Sequence, residues 1–174
     1  MKKTALLYWV KGGNVEKSAE IVYRQFDEKS IDLFPLDEFD VNKINDYDLV
    51  ILGSSTVGAW KWEDATNDNK WNEFFRTVQK MDLSNITFAT FGLGNQVLYP
   101  NHFVDGLGFF QEEILKTNAR IIGKWPVEGY LFTDSEGVHN GMFYGLALDG
   151  DNEPEKTEMR ARQWVARLEK EMGM

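Results

Sequence analysis

The chain has 174 residues, 43% hydrophobic and 27% charged, an ordinary globular composition that fits one domain over 1–174 with a single sizeable core. Its formal net charge of -9 argues against a nucleic-acid backbone or an anionic membrane surface as the main partner, since both reward basic patches, and favours a basic protein partner instead. With no cysteine there is no disulfide, no thiolate nucleophile and no Cys-held zinc or iron–sulfur cluster, so any redox chemistry must come from a bound cofactor.

The opening Met-Lys-Lys and its apolar run begin like a signal peptide. The run stops at Lys11 without a small-residue cleavage pattern, so it reads as the first strand of a soluble cytoplasmic protein. Thr4 to Val10 is apolar almost throughout, as expected of a strand buried on both faces, and Gly12-Gly13 breaks it. A helix follows with Val15, Ala19, Val22 and Phe26 on one face. Further strands are expected at Ile31 to Leu36, Leu49 to Ser54, Ile86 to Leu93 and Ile121 to Val127, most of them separated by helical patterns. The helix after the fourth strand carries Phe103, Leu107, Phe110 and Ile114. The last carries Ala161, Trp164, Val165, Leu168 and Met172, with Thr157 or Asn152 as its expected cap. Between them Glu128 to Gly141 reads as an inserted loop and Met142 to Asp149 as a short strand. The alternation implies an α/β fold of three layers: a doubly wound, five-stranded parallel sheet, order 2-1-3-4-5, whose last strand is split by the insertion.

The stretch Phe91–Gly108 reads Phe-Gly-Leu-Gly-Asn-Gln-Val-Leu-Tyr-Pro-Asn-His-Phe-Val-Asp-Gly-Leu-Gly: a strand, a glycine-rich loop and a helix start. Ligands of open α/β sheets sit beyond the carboxyl ends of the strands, so this loop with its aromatic is a candidate site for a flat ligand. Its wording resembles the isoalloxazine-binding loop of flavodoxins. Two further stretches carry the same resemblance to the long-chain branch of that family: Trp125–Phe132, and Gly145–Asn152 followed by the helix containing Trp164 and Val165. The resemblance implies FMN as cofactor. It places the backbone of Gly92, Leu93, Gly94 and Asn95 at the pyrimidine edge and lays Tyr99 flat on the ring; a lone tyrosine would otherwise read as an ordinary loop aromatic.

The first loop departs from the family. Flavodoxins hold the FMN phosphate with Thr/Ser-x-Thr-Gly-x-Thr, whereas the matching residues here are Val10, Lys11, Gly12, Gly13, Asn14 and Val15, with all three hydroxyls lost. A glycine turn remains, whose amides form an anion nest at a helix start, with Lys11 as a replacement cation. A hydrogen bond to a charged group contributes roughly 1.5–3 kcal/mol, so losing three uncompensated would weaken phosphate binding by several decades. Trp9 stands where the family often has a small residue. The second loop, Ser55, Thr56, Val57, Gly58, Ala59 and Trp60, matches the one facing the inner side of the flavin, with Val57 where a tryptophan is frequent. Either Trp60 or Trp62 stacks on the ring instead, or both cover the sheet edge or a partner surface. The Gly58-Ala59 peptide matches one that rotates in the family to accept a hydrogen bond from reduced N5, a flip that glycine makes sterically easy.

The resemblance implies a one-electron carrier between redox proteins, monomeric, with no catalytic residue and no metal. Of the acidic residues, Glu63, Asp64, Asp68, Glu128, Asp149 and Asp151 are candidates to lie near the cofactor, although any one of them taken singly reads first as a solubilising charge. The altered first loop motivates an alternative, a binding or regulatory module of the same fold with weakened or lost FMN binding. A third reading, nicotinamide-dependent reduction of quinones, shares the fold. His102 and His139 lie in loop-like contexts far apart, and Gly92-Leu93-Gly94 lacks the acidic residue that a dinucleotide site needs.

Overall fold

The computed structural model describes residues 1–55 and 70–174. In β1 (Thr4–Trp9) successive side chains go to opposite faces: Leu6 and Tyr8 join one buried cluster, Ala5 and Leu7 another. The same division runs through β3 (Leu49–Ser54) and β4 (Thr87–Leu93), so the sheet is apolar on both sides and needs a helical layer on each. On one side lie α1 (Gly13–Tyr23), through Val15, Ala19 and Val22, and α4 (Thr157–Met172), through Ala161, Trp164 and Leu168. On the other lie α2 (Lys70–Val78), through Trp71, Phe74 and Phe75, and α3 (Gly106–Leu115), through Phe110 and Ile114.

With β2 (Ile31–Pro35) and β5 (Arg120–Ile121), the parallel order is β2-β1-β3-β4-β5, as the sequence pattern predicts. Register brings Tyr8, Gly53 and Phe91 side by side, and the Phe91 ring fills the space above Gly53: a Cβ there would lie 1.9 Å from Phe91 Cζ. The lane beside β4 is shared by two segments. Its start pairs with β5, and its end, Phe91 to Leu93, pairs with β9 (Leu146–Leu148).

The chain between those segments corrects two expected strands. The expected strand Ile121 to Val127 ends at Ile121, because Gly123 turns the backbone at φ +85°; Trp125–Pro126 (β6) then pairs elsewhere. The expected strand Met142 to Asp149 is likewise two pieces, β8 (Met142–Phe143) and β9. With β7 (Val138–His139), β6 and β8 form a small antiparallel sheet, order β6-β8-β7. The insertion has a core of its own, since Trp125, Tyr130, Phe132 and Phe143 pack on Phe103, Val104 and Leu107. Elsewhere Val10 lies beyond β1, and Phe26 is buried after α1 has ended. Neither expected cap holds. Thr157 is the first residue of α4, the position before it is Lys156, and Asn152 is engaged elsewhere.

Candidate functional site

β1, β3, β4 and β9 run parallel, so the segments that follow them emerge at one end of the sheet. Side-chain bonds tie three of these segments together. Asp151, after β9, accepts from Asn14 Nδ2 at 3.3 Å and from Asn95 Nδ2 at 3.2 Å, which links the β1 turn to the β4 loop. Asn152 Nδ2 donates to Asn95 Oδ1 at 2.8 Å. Asn95 Oδ1 also accepts from the amides of Val97 and Leu98, at 3.1 and 2.9 Å, and so closes the turn.

Beneath that turn lies a buried polar pair. Gln96 donates through its backbone N–H (3.1 Å) and its amide (3.0 Å) to Asp149 Oδ2, and its amide reaches Glu153 Oε2 at 3.1 Å. Its carbonyl oxygen accepts from the Leu131 amide of the insertion. Asp149 is fully buried, and the backbone and side chain of Asn152 also donate to it. Burial alone would raise its pKa, but the donors from Gln96 and Asn152 outweigh that and hold it below the usual carboxylate range. Glu153 is shifted the same way: against the effect of burial, Lys156 and Arg160 lower it, Arg160 Nη1 from 2.8 Å. Arg160 in turn lies over the Tyr130 ring, 4.0 Å from its centroid. Burial raises the Tyr130 hydroxyl to about 12.

Above this base the loop tip is apolar and open: Val97 and Leu98 are about 70% exposed, at 70% and 69%, and Tyr99 is 47% exposed. Tyr99 thus presents a free aromatic face beside a turn fixed from below. Gly94 is the first loop residue; its N–H donates to Leu148 O at 3.0 Å, and a Cβ there would lie 2.9 Å from Val104 N. Val104 itself is held at φ +48°, a conformation that β-branched residues rarely adopt. Gly92 and Leu93 belong to β4 and are buried in the sheet, so of the expected loop residues only Gly94, Asn95 and Tyr99 lie in the loop proper.

In the first loop Gly12 and Gly13 take φ +76° and +68°, and nothing lies within 4 Å of a Cβ at either. This open turn has room for an anion beside its amides. Its donors, however, face carboxylates of the chain. Gly12 N–H donates to Glu16 Oε2 at 3.0 Å, and Glu16 also accepts from the Tyr8 hydroxyl. Lys11 Nζ lies 3.0 Å from both Asp37 and Glu38, which raise its pKa in that order. Val10 is exposed, whereas Val15 packs into the α1 core. Ser55 is half-buried after β3. Thr56, Val57, Gly58, Ala59, Trp60, Trp62, Glu63, Asp64 and Asp68 lie outside the described residues. Glu128 lies in the insertion, on the turn that follows β6.

Sequence reasoning missed Gln96, whose polar side chain in a turn reads as solvated, and Glu16, which reads as an ordinary first-turn acid. It also missed the environment of His102, whose Nδ1 is 2.9 Å from the buried Asp105 carboxylate. His139 lies in β7 rather than in a loop. Among the described residues no group of three His, Asp or Glu could hold a metal ion.

The family model described as flavodoxin matches residues 6–164. A flavodoxin of Nostoc sp. is 33% identical over 173 residues, covering 99% of each chain. Flavodoxin 1 of Escherichia coli is 32% identical over 175 residues, covering 100% of this chain and 97% of the relative. Among solved structures, the Fusobacterium nucleatum flavodoxin bound to flavin mononucleotide superposes with a TM-score of 0.82 at 22% identity, covering 98% of this chain and 99% of that one.

Proposed function

The chain belongs to the flavodoxin family, and from that premise we propose that it binds FMN at the carboxyl end of its sheet and carries single electrons between redox proteins. The observation that carries this reading is the junction of the β1, β4 and β9 loops: an open glycine turn on one side, an exposed Tyr99 on a rigidly held turn on the other. When bound, FMN supplies the redox chemistry. The chain's own residues bind and orient it. Tyr99 offers a ring face for stacking, Asn95 and Gln96 fix the turn that carries it, and Gly12 and Gly13 leave room at the helix start for the phosphate. Ser55, Thr56, Val57, Gly58, Ala59 and Trp60 complete the inner side in this reading, and Val10 to Val15 form the phosphate end.

A carrier needs no acid, base or nucleophile, and the protein acts as one rather than as an enzyme. Its partners are basic redox proteins, steered by the -9 net charge, so their reaction rates fall steeply as salt rises. It works as a monomer in the cytoplasm; among the described residues no helix is long and apolar enough to cross a membrane. The test is an FMN titration of the apoprotein followed by flavin fluorescence, then reduction of the complex by a nicotinamide-dependent flavoprotein reductase. Quenching with a defined endpoint, and reduction only when the reductase is present, are the expected results. No quenching at micromolar FMN would overturn cofactor binding, and oxidation of NADPH by the protein alone would make it an enzyme.

A further inference from the structure

We infer that Glu16 guards the phosphate end of the flavin site: its carboxylate takes the glycine-turn amide that a phosphate would use, so the loop separates FMN poorly from riboflavin, and removing that charge sharpens the preference for FMN. This deepens the flavin reading above and rests on it. Three donors of the Val10 to Val15 segment are engaged with carboxylates of the chain itself: Gly12 N–H with Glu16, Lys11 with Asp37 and Glu38, and the Asn14 amide with Asp151. A phosphate that takes the Gly12 amide displaces the Glu16 carboxylate, and one that binds the neighbouring turn amides still lies close to that charge. Like charges sharing one donor repel, and with no hydroxyl side chain at positions 10 to 15 little offsets the repulsion. The ring end joins this segment through Asn14, Asp151 and Asn95, but the bonds of Glu16 and Lys11 lie outside that link, so the variants below leave the Tyr99 turn as it is.

Glu16 also has a plain structural reading. It sits in the first turn of α1 and returns to the N–H of Gly12, the residue before the helix, much as a capping-box glutamate does. The two roles separate by the sign of the change. Replacing a purely structural glutamate loosens the glycine turn and weakens FMN, whereas replacing a guarding one tightens it; riboflavin, which lacks the phosphate, reports any wider damage.

The experiment measures the dissociation constants of FMN and riboflavin, by fluorescence, for the full chain and for Glu16→Gln, with thermal melts of both as a folding control. The expected result is a preference for FMN of no more than about tenfold in the unaltered protein. Glu16→Gln should tighten FMN about tenfold, the scale of one charge-assisted hydrogen bond, and leave riboflavin within about twofold. A second variant, Asp37→Asn with Glu38→Gln, releases Lys11 without touching α1 and should also favour FMN selectively. Parallel shifts of both flavins, weaker FMN binding in Glu16→Gln, or a thousandfold FMN preference in the unaltered chain would overturn the inference. If neither flavin binds the unaltered chain, the flavin reading itself falls and takes this inference with it.

Discussion

Replacing Asp149 with alanine tests whether the β4 loop is held from below. Its fully buried carboxylate accepts four donors: the backbone N–H and side-chain amide of Gln96, and the same two groups of Asn152. A hydrogen bond to a charged group contributes roughly 1.5–3 kcal/mol, and a buried donor left without a partner costs about 1–3 kcal/mol. Gln96 is buried and keeps only Glu153 for its amide, while Asn152 is partly exposed and can turn to water. The four contacts therefore do not add, and we expect Asp149→Ala to destabilise the apoprotein by about 3–5 kcal/mol. In urea, with a slope of about 2 kcal/mol/M, the midpoint should fall by about 2 M at unchanged slope. Gln96→Ala should cost less alone and add little on top of Asp149→Ala, because the two share their bonds. A midpoint shift under about 0.5 M for Asp149→Ala, or simple additivity in the double variant, would refute the reasoning.

Gly145→Ala should cost more than about 3 kcal/mol in the same assay, since its Cβ would lie 2.0 Å from Thr90 O, a backbone atom of β4 that cannot yield. Tyr99→Ala should weaken FMN binding about tenfold or more and reduce the quenching of bound flavin, while leaving the unfolding free energy in urea within about 0.5 kcal/mol, because the ring is exposed in the free protein. Acid should unfold the protein in a defined window. The carboxyl groups of Asp149, Glu153 and Asp32 have lowered pKa values in the fold, so their stabilisation is complete above the ordinary carboxylate range near pH 4 and is lost as pH falls through the lowered values. Glu136 works in the opposite sense, raised first by burial and then by Asp105, and costs stability once pH passes the ordinary glutamate range. Urea midpoints between pH 6 and pH 2.5 should therefore fall mainly below pH 4, and a flat profile there would count against the three lowered groups.

Most of the sheet was legible because its signal is local. Leu49–Ser54 is an unbroken apolar run between polar neighbours, and the third strand has the expected bounds. The fifth strand was not, although Ile121 to Val127 is nearly as apolar. What divides it is the positive φ of Gly123 and the choice of Phe143 as the partner of Trp125, a pairing of residues far apart in sequence that no local pattern encodes. The site divides in the same way. The glycine turns and Tyr99 announce themselves, whereas Gln96 acquires its role only when β9 delivers Asp149 beneath it. One signal was available: an aspartate directly after the buried run Leu146 to Leu148 falls at the carboxyl end of a strand, where loops converge.

The insertion between β5 and β9 supplies the other half of the loop's support. The amides of Thr133 and Asp134 donate to Pro100 O at 2.7 and 2.9 Å, Glu136 N–H donates to Asp105 Oδ1 at 2.8 Å, and Leu131 N–H reaches Gln96. Phe132 stacks on Phe103, with ring centroids 5.5 Å apart. The segment from Gly94 to Asp105 is thus clamped between Asp149 on one side and the insertion on the other, while its tip at Val97 to Tyr99 stays in solvent. A loop fixed before its ligand arrives loses little conformational entropy on binding, and side-chain and loop ordering otherwise costs about 0.5–1.5 kcal/mol per immobilised side chain. That saving would fall on the ring end of the proposed site, whereas the Gly12 amide and Lys11 of the first turn are already engaged with carboxylates, so we expect the ring end to contribute the larger share of flavin affinity.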